Sequence, residues 1–152
     1  MRHSRHDKVK HRITSLLQQK GFDCHEEVQC VDGQGSIRRA DIVAFEQGTN
    51  RALIVDPSIR YETNGDMGKE VQDDKERRYA SCASWLNEKF SPTYGPREYH
   101  VYGLWIGGRG TISRQVVQFF DEFQLDKRAL PVMAEDVLVD SIRMLHHHVN
   151  GP

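Results

Sequence analysis

The sequence predicts an α/β (α+β) protein: one mixed central sheet flanked by helices. Apolar residues recur at helical spacing before Gly21, between Lys69 and Phe90, and in two segments after Gly107. Between the first two helical segments lie runs with strand character, and another, Tyr99 to Ile106, follows the second. The resulting order of helix, three strands, helix, strand and then helices places a sheet between helical layers. A length of 152 residues suits a single domain, 1–152.

From about Arg5 to Lys20, Val9, Ile13, Leu16 and Leu17 follow the i, i+4, i+7, i+8 spacing of one helical face, and Gly21 supplies a stop. Phe22 to Gln29 is a weak strand candidate, with Phe22, Cys24, Glu26 and Val28 on one side, and Asp32-Gly33-Gln34-Gly35 is a turn signal. Two apolar strands follow, Arg38 to Phe45 and Arg51 to Asp56, joined by the hairpin-like loop Glu46 to Asn50 and therefore antiparallel neighbours. Pro57 is expected to end the second ladder, because proline has no N–H to donate.

The polar connection Glu62 to Gly68 leads into a second helix, Lys69 to Phe90, with Val71, Tyr79, Cys82, Leu86 and Phe90 facing inward. Ser91-Pro92 and Gly95-Pro96 mark a loop before the fourth strand. Gly107-Gly108-Arg109-Gly110 reads as a tight turn, since it has neither the dinucleotide-binding nor the phosphate-loop spacing. A helix from Ser113 to Phe123 and a last one from about Met133 to Val149 close the chain, the latter with Val137, Leu138, Ile142, Leu145 and Val149 as its expected core face.

Composition excludes several classes. No run of about 20 apolar residues could span a bilayer, and the basic N-terminus has no apolar segment behind it, so the expectation is a soluble, intracellular protein. Cys24, Cys30 and Cys82 form no CxxC pair, which argues against a disulfide framework or a closed zinc site. His146, His147 and His148 point three ways on a helix and read as a solvated end. Net charge is near zero, but Arg2, Arg5, Lys8, Lys10, Arg12 and Lys20 crowd the first helix, and Arg38, Arg39, Arg60, Arg77 and Arg78 lie near the candidate acids. These clusters are either solvated helix faces or contacts for a phosphate backbone.

Chemistry concentrates in the two central strands. Asp41 shares a face with Val43 and Phe45, and Asp56 with Ala52 and Ile54. A carboxylate on an apolar face is costly unless it is paired, hydrogen-bonded or neutralised by a metal. The alternatives at this level are two turn-capping aspartates or one shared site. Lys75, four residues from both Val71 and Tyr79, falls on the buried stripe of the second helix, where it either snorkels or aims its ammonium at the two acids. Lys69 lies off that stripe. Two carboxylates and a lysine suit phosphodiester hydrolysis, with hard oxygen ligands for Mg²⁺ or Mn²⁺ and an amine that orients water.

The order of elements, Asp41, Asp56 and a downstream lysine resemble the PD-(D/E)XK nuclease superfamily. They are most similar to the restriction-like endonuclease domain of site-specific non-long-terminal-repeat retrotransposons. The features that carry the resemblance are Arg5-His6 on the first helix, Arg38 or Arg39 before the first acid, Asp41-Ile42-Val43-Ala44, Ile54-Val55-Asp56, and Lys75 ahead of Tyr79, within about residues 5–106. Ala40 stands where the superfamily has proline, and Ser58 where most members have the lysine.

The resemblance implies a restriction-endonuclease-like αβββαβ core with a C-terminal helical extension, about 111–150. It implies a metal-dependent endonuclease that nicks DNA at a target site for a retroelement. Asp41 and Asp56 would be metal ligands, Lys75 the third catalytic residue, Arg5, Arg38 and Arg39 DNA contacts, and Tyr79 and His6 accessory groups. Glu26 or Glu27 could add a carboxylate. The cofactor would be Mg²⁺ or Mn²⁺, and the partners DNA and a reverse transcriptase region of the same polyprotein, in the nucleus and away from membranes. Two alternatives remain: a catalytically degenerate module that binds DNA or a partner protein, and a structure-selective nuclease similar to Holliday-junction resolvases.

Overall fold

The computed structural model describes residues 2–150, with side chains described for 5–149. A four-stranded sheet separates two helical layers. Its strands are β1 (Asp23–Val31), β2 (Ile37–Phe45), β3 (Arg51–Arg60) and β4 (Glu98–Gly107), in spatial order β1-β2-β3-β4. The β1–β2 and β2–β3 pairs are antiparallel, and β3–β4 is parallel. A parallel pair needs a helical crossover, supplied by α2 (Met67–Tyr79), a short 3₁₀ turn (Ala80–Cys82) and α3 (Ala83–Tyr94). On the other face lie α1 (Arg2–Gln19), α4 (Arg114–Glu122) and α5 (Ala129–Asn150). The mixed sheet flanked by helices matches the fold class that the sequence predicts.

Strand alternation divides the core in two. Ile42, Ala44, Leu53 and Val55 pack against Val9, Ile13 and Leu17 of α1 and Phe120 of α4. Val43, Phe45, Ala52 and Ile54 pack against Tyr79, Cys82, Leu86 and Phe90. Each such side chain, fully buried, contributes roughly 1.5–3 kcal/mol of transfer free energy. Asp41 and Asp56 belong by parity to the second face, so both point toward α2, as their strand positions predict.

Four sequence expectations need correction. The helix predicted from Lys69 to Phe90 is broken by the 3₁₀ turn, where tighter winding brings residues three apart onto one side. Tyr79 and Cys82 can thus both face the sheet. α3 then runs through Pro92 to Tyr94, because proline falls in its final turn and stacking of Tyr94 on Phe45, with centroids 3.8 Å apart, holds that turn down.

Pro57 does not end β3. The parallel ladder with β4 continues to Arg60, although the antiparallel pairing with β2 stops at Val55. In a strand, the N and C=O of one residue point to the same side. The Pro57 carbonyl accepts from His6, at 3.2 Å, so its missing N–H lies on that same side, away from β4, and costs the ladder nothing.

In β1, Cys24 packs with the first cluster whereas Val28 and Cys30 belong to the second. The alternation inverts across Glu27, which has φ of +55°, opposite Asp41.

On α5, Met133 and Val137 are buried, but Leu138, Ile142, Leu145 and Val149 are exposed, Ile142 at 58% and Val149 at 71%. The face turned to α1 is polar instead. Lys8 pairs with Asp140 (3.0 Å), Arg12 with Asp136 (3.0 Å), and Arg5 donates to Ser141 (2.7 Å).

Candidate active site

Asp56 follows the last residue of β3 that pairs with β2 and lies beside Gly103 of β4. Asp41 sits next to Ile42, which pairs with Val55. The register therefore places the two carboxyl groups close enough for each to shift the other's ionisation. On α2 the stripe Val71, Lys75, Tyr79 faces them, all three buried. Lys75 Nζ lies 2.9 Å from Asp56 Oδ2, so the lysine is aimed at the acids and does not snorkel. Gly103 makes this approach possible. A Cβ there would lie 2.7 Å from Lys75 Cγ and 2.9 Å from the Val71 carbonyl oxygen, so any larger residue would push α2 off the sheet. The Gly103 N–H donates to Gln72 Oε1 at 2.7 Å, which fixes the same contact.

The two acids differ in character. Asp56 is 2% exposed, and burial, followed by the adjacent Asp41 carboxylate, pushes its pKa up to about 7 against the pull of Lys75. Burial also works against ionisation of Asp41. There the hydrogen bond from His6 prevails and holds its pKa below the ordinary value. Like charges this close resist joint ionisation, so Asp41 carries the charge and Asp56 retains a proton up to neutral pH. Its Oδ1 atom is buried and has no hydrogen-bond partner among the described residues.

His6, on α1, shares one nitrogen between two acceptors: Nε2 lies 3.0 Å from Asp41 Oδ2 and 3.2 Å from the Pro57 carbonyl oxygen. Since both are acceptors, Nε2 must carry a proton. The bond to Asp41 raises the His6 pKa above its ordinary value. The Tyr79 hydroxyl donates to the Arg39 carbonyl at 2.8 Å and tethers α2 to β2 beside the acids, and burial pushes its own ionisation far upward.

The group opens into a cleft of ≈ 450 Å³ lined by Arg5, His6, Asp7, Glu27, Arg39, Asp41, Pro57, Ser58, Ile59 and Lys75. No family model and no curated protein matches this chain. Among solved structures, one described as a protein of unknown function, AF1548, superimposes with a TM-score of 0.45 at 13% identity, over 74% of this chain and 52% of that one. This chain thus spans about half of that chain's length.

The structure brings most of the sequence candidates together. Asp41, His6 and Lys75 line the cleft, with Asp56 and Tyr79 beneath them. Arg5 is 5% exposed, donates to Ser141, and pairs with no carboxylate among the described residues. Arg39 reaches the rim, 3.7 Å from Glu27. Arg38 does not join them. Its Nε donates to Asp32 Oδ2 at 3.2 Å, in the turn between β1 and β2, because the two residues flank that turn.

Glu26 also points elsewhere, accepting from Thr14 at 2.6 Å, whereas Glu27 lines the cleft and pairs with the buried Lys10. Sequence reasoning named Glu26 and Glu27 only as alternative extra carboxylates outside the expected ligand set, and left Asp7, Ser58 and the Pro57 carbonyl out of the site. A positive φ at a glutamate has no sequence signature, so the sequence did not separate Glu27 from Glu26. A second hollow of ≈ 460 Å³, between the N-termini of α2 and α4 and lined by Lys69, Trp105 and Gln115 among others, holds none of these candidate residues.

A divalent cation fits this donor set. Mg²⁺ and Mn²⁺ take hard oxygens and commonly bind through one or two carboxylates while keeping water. The orphaned, buried Asp56 oxygen beside the Asp41 carboxylate is the kind of group that a cation or a proton must satisfy. The described residues hold no cluster of three or more His, Cys, Asp or Glu arranged for a metal.

Proposed function

We propose that the chain is a Mg²⁺- or Mn²⁺-dependent DNA endonuclease with a restriction-endonuclease-like core, serving target-site cleavage. The observation that carries this reading is the pair of carboxyl groups on adjacent strands, one of them with an unsatisfied buried oxygen and a lysine from the following helix against its other oxygen. Asp41 and Asp56 would hold the cation. When bound, it would neutralise charge on the scissile phosphate and lower the pKa of a water.

The chain's own residues do the rest. Lys75 sits with its ammonium against Asp56 at the inner end of the cleft, placed to donate to the attacking water or to a phosphate oxygen. His6 fixes the orientation of Asp41 through its bond to Oδ2. Arg5, a buried guanidinium bonded to Ser141 and without a counter-ion among the described residues, suits a phosphate oxygen, and Arg39 at the rim suits the next one along the strand.

The test is plasmid cleavage with Mg²⁺ or Mn²⁺. Asp41→Ala and Asp56→Ala should each lose at least about 100-fold in rate while keeping the wild-type circular dichroism spectrum. Wild-type-like cleavage by either variant would remove the site. DNA binding with no cleavage by the wild-type chain under either metal would instead make it a binding module.

A further inference from the structure

Tyr61 follows the last residue of β3 and is 51% exposed, unusual for an aromatic ring held against backbone. It lies on Gly108, where a Cβ would approach its ring carbons to 2.9 Å, so the glycine is what lets the ring lie flat on the β4 turn. The Arg5 guanidinium is 5.9 Å from the ring centroid. Arg5 lines the cleft, as does Ile59, two residues before Tyr61, so the ring lies beside cleft residues without lining the cleft itself. Its hydroxyl makes no hydrogen bond to any described residue. Among the described residues Arg5 has the Ser141 hydroxyl but no carboxylate as a partner, and with the half-open Tyr61 ring beside it the pair suits a ligand with both an anion and a flat apolar face.

We infer that Tyr61 and Arg5 form a subsite for one unstacked nucleotide, its base on the Tyr61 ring and its phosphate on Arg5. This rests on the nuclease reading and narrows its substrate class to DNA with a single-stranded arm beside the cleavage point. The chemistry is that of single-strand sites, where bases stack on aromatic rings while cations follow the backbone. Tyr61 lies five residue steps beyond Asp56, about 16 Å at the rise of a β-strand, which puts the stacked base within a few nucleotides of the cleaved bond. An intact duplex keeps its base faces covered, so it cannot use the ring.

The test is metal-free binding of forked and fully paired oligonucleotides that carry 2-aminopurine at successive positions of the single-stranded arm. Wild-type protein should bind the fork more tightly than the duplex and quench 2-aminopurine at one or two arm positions. Tyr61→Leu, which keeps bulk against Gly108, should weaken fork binding about 5- to 100-fold and abolish the quenching, and Tyr61→Trp should retain both. Equal quenching by wild type and Tyr61→Leu, or unchanged fork affinity, overturns the subsite. Cleavage is scored separately. A protein that quenches without cutting retains the subsite and loses the nuclease reading, and one that cuts with no dependence on Tyr61 loses the subsite alone.

Discussion

The strongest consequence of the site is that cation binding should be coupled to a proton near neutral pH. Burial and the neighbouring Asp41 hold the Asp56 pKa at about 7, where an ordinary aspartate titrates near 3.8. A cation that uses the Asp56 carboxylate must displace that proton. With a pKa near 7, Asp56 is roughly nine-tenths protonated at pH 6 and about one-tenth at pH 8. The Kd for Mn²⁺ should therefore fall about tenfold between pH 6 and pH 8 and flatten above, with about half a proton released per ion at pH 7. Protonated His6, bonded to the same Asp41 oxygen, steepens the acid limb further. Two ordinary carboxylates would give a flat profile over this range. Titration calorimetry of Mn²⁺ in two buffers of different ionisation enthalpy measures both affinity and proton release. A pH-independent Kd, or equal binding by Asp56→Asn, would refute the coupling.

Without metal, the same proton makes the fold less stable as pH rises. Native Asp56 keeps a proton that the unfolded chain has lost above pH 4, so stability declines from about pH 4 to 7, by up to ~4 kcal/mol. His6, also raised, acts in the same direction, its contribution being lost as pH rises through its folded pKa, whereas Asp41, lowered, costs stability only in acid. Thermal melts should fall from pH 5 to 8 and recover with Mn²⁺. Gly103→Ala should cost about 1–3 kcal/mol in denaturant melts and reduce cleavage more than stability alone explains, because the new Cβ displaces Lys75. Met133→Ala should cost about 2–5 kcal/mol, whereas Ile142→Ser on the exposed side of the same helix should change stability by no more than about 0.5 kcal/mol. Chemical denaturation of the pair identifies which face of α5 belongs to the core.

What the sequence made legible follows from which interactions are local. Strand parity put Asp41 and Asp56 each on an apolar face of its own strand, and helical spacing put Lys75 on a buried stripe, without saying that the three meet. The structure joins them because β2–β3 pairing and the α2 crossover are short-range consequences of those patterns. Arg38 misled because its nearest carboxylate, Asp32, lies across a turn whose geometry the sequence does not reveal. The α5 face was misread for a related reason: apolar spacing identifies a stripe but not its partner, and α1 offers α5 charged residues from a different part of its surface. The inversion at Glu27 is the least legible feature and bears most directly on the site. Without that break in alternation, β1 would present the same parity along its whole length, and the kink opposite Asp41, at the edge of the cleft, would be absent. A backbone conformation that glutamate rarely adopts persists here because the flanking pairs, Glu26 with Ile42 and Val28 with Ala40, over-determine it.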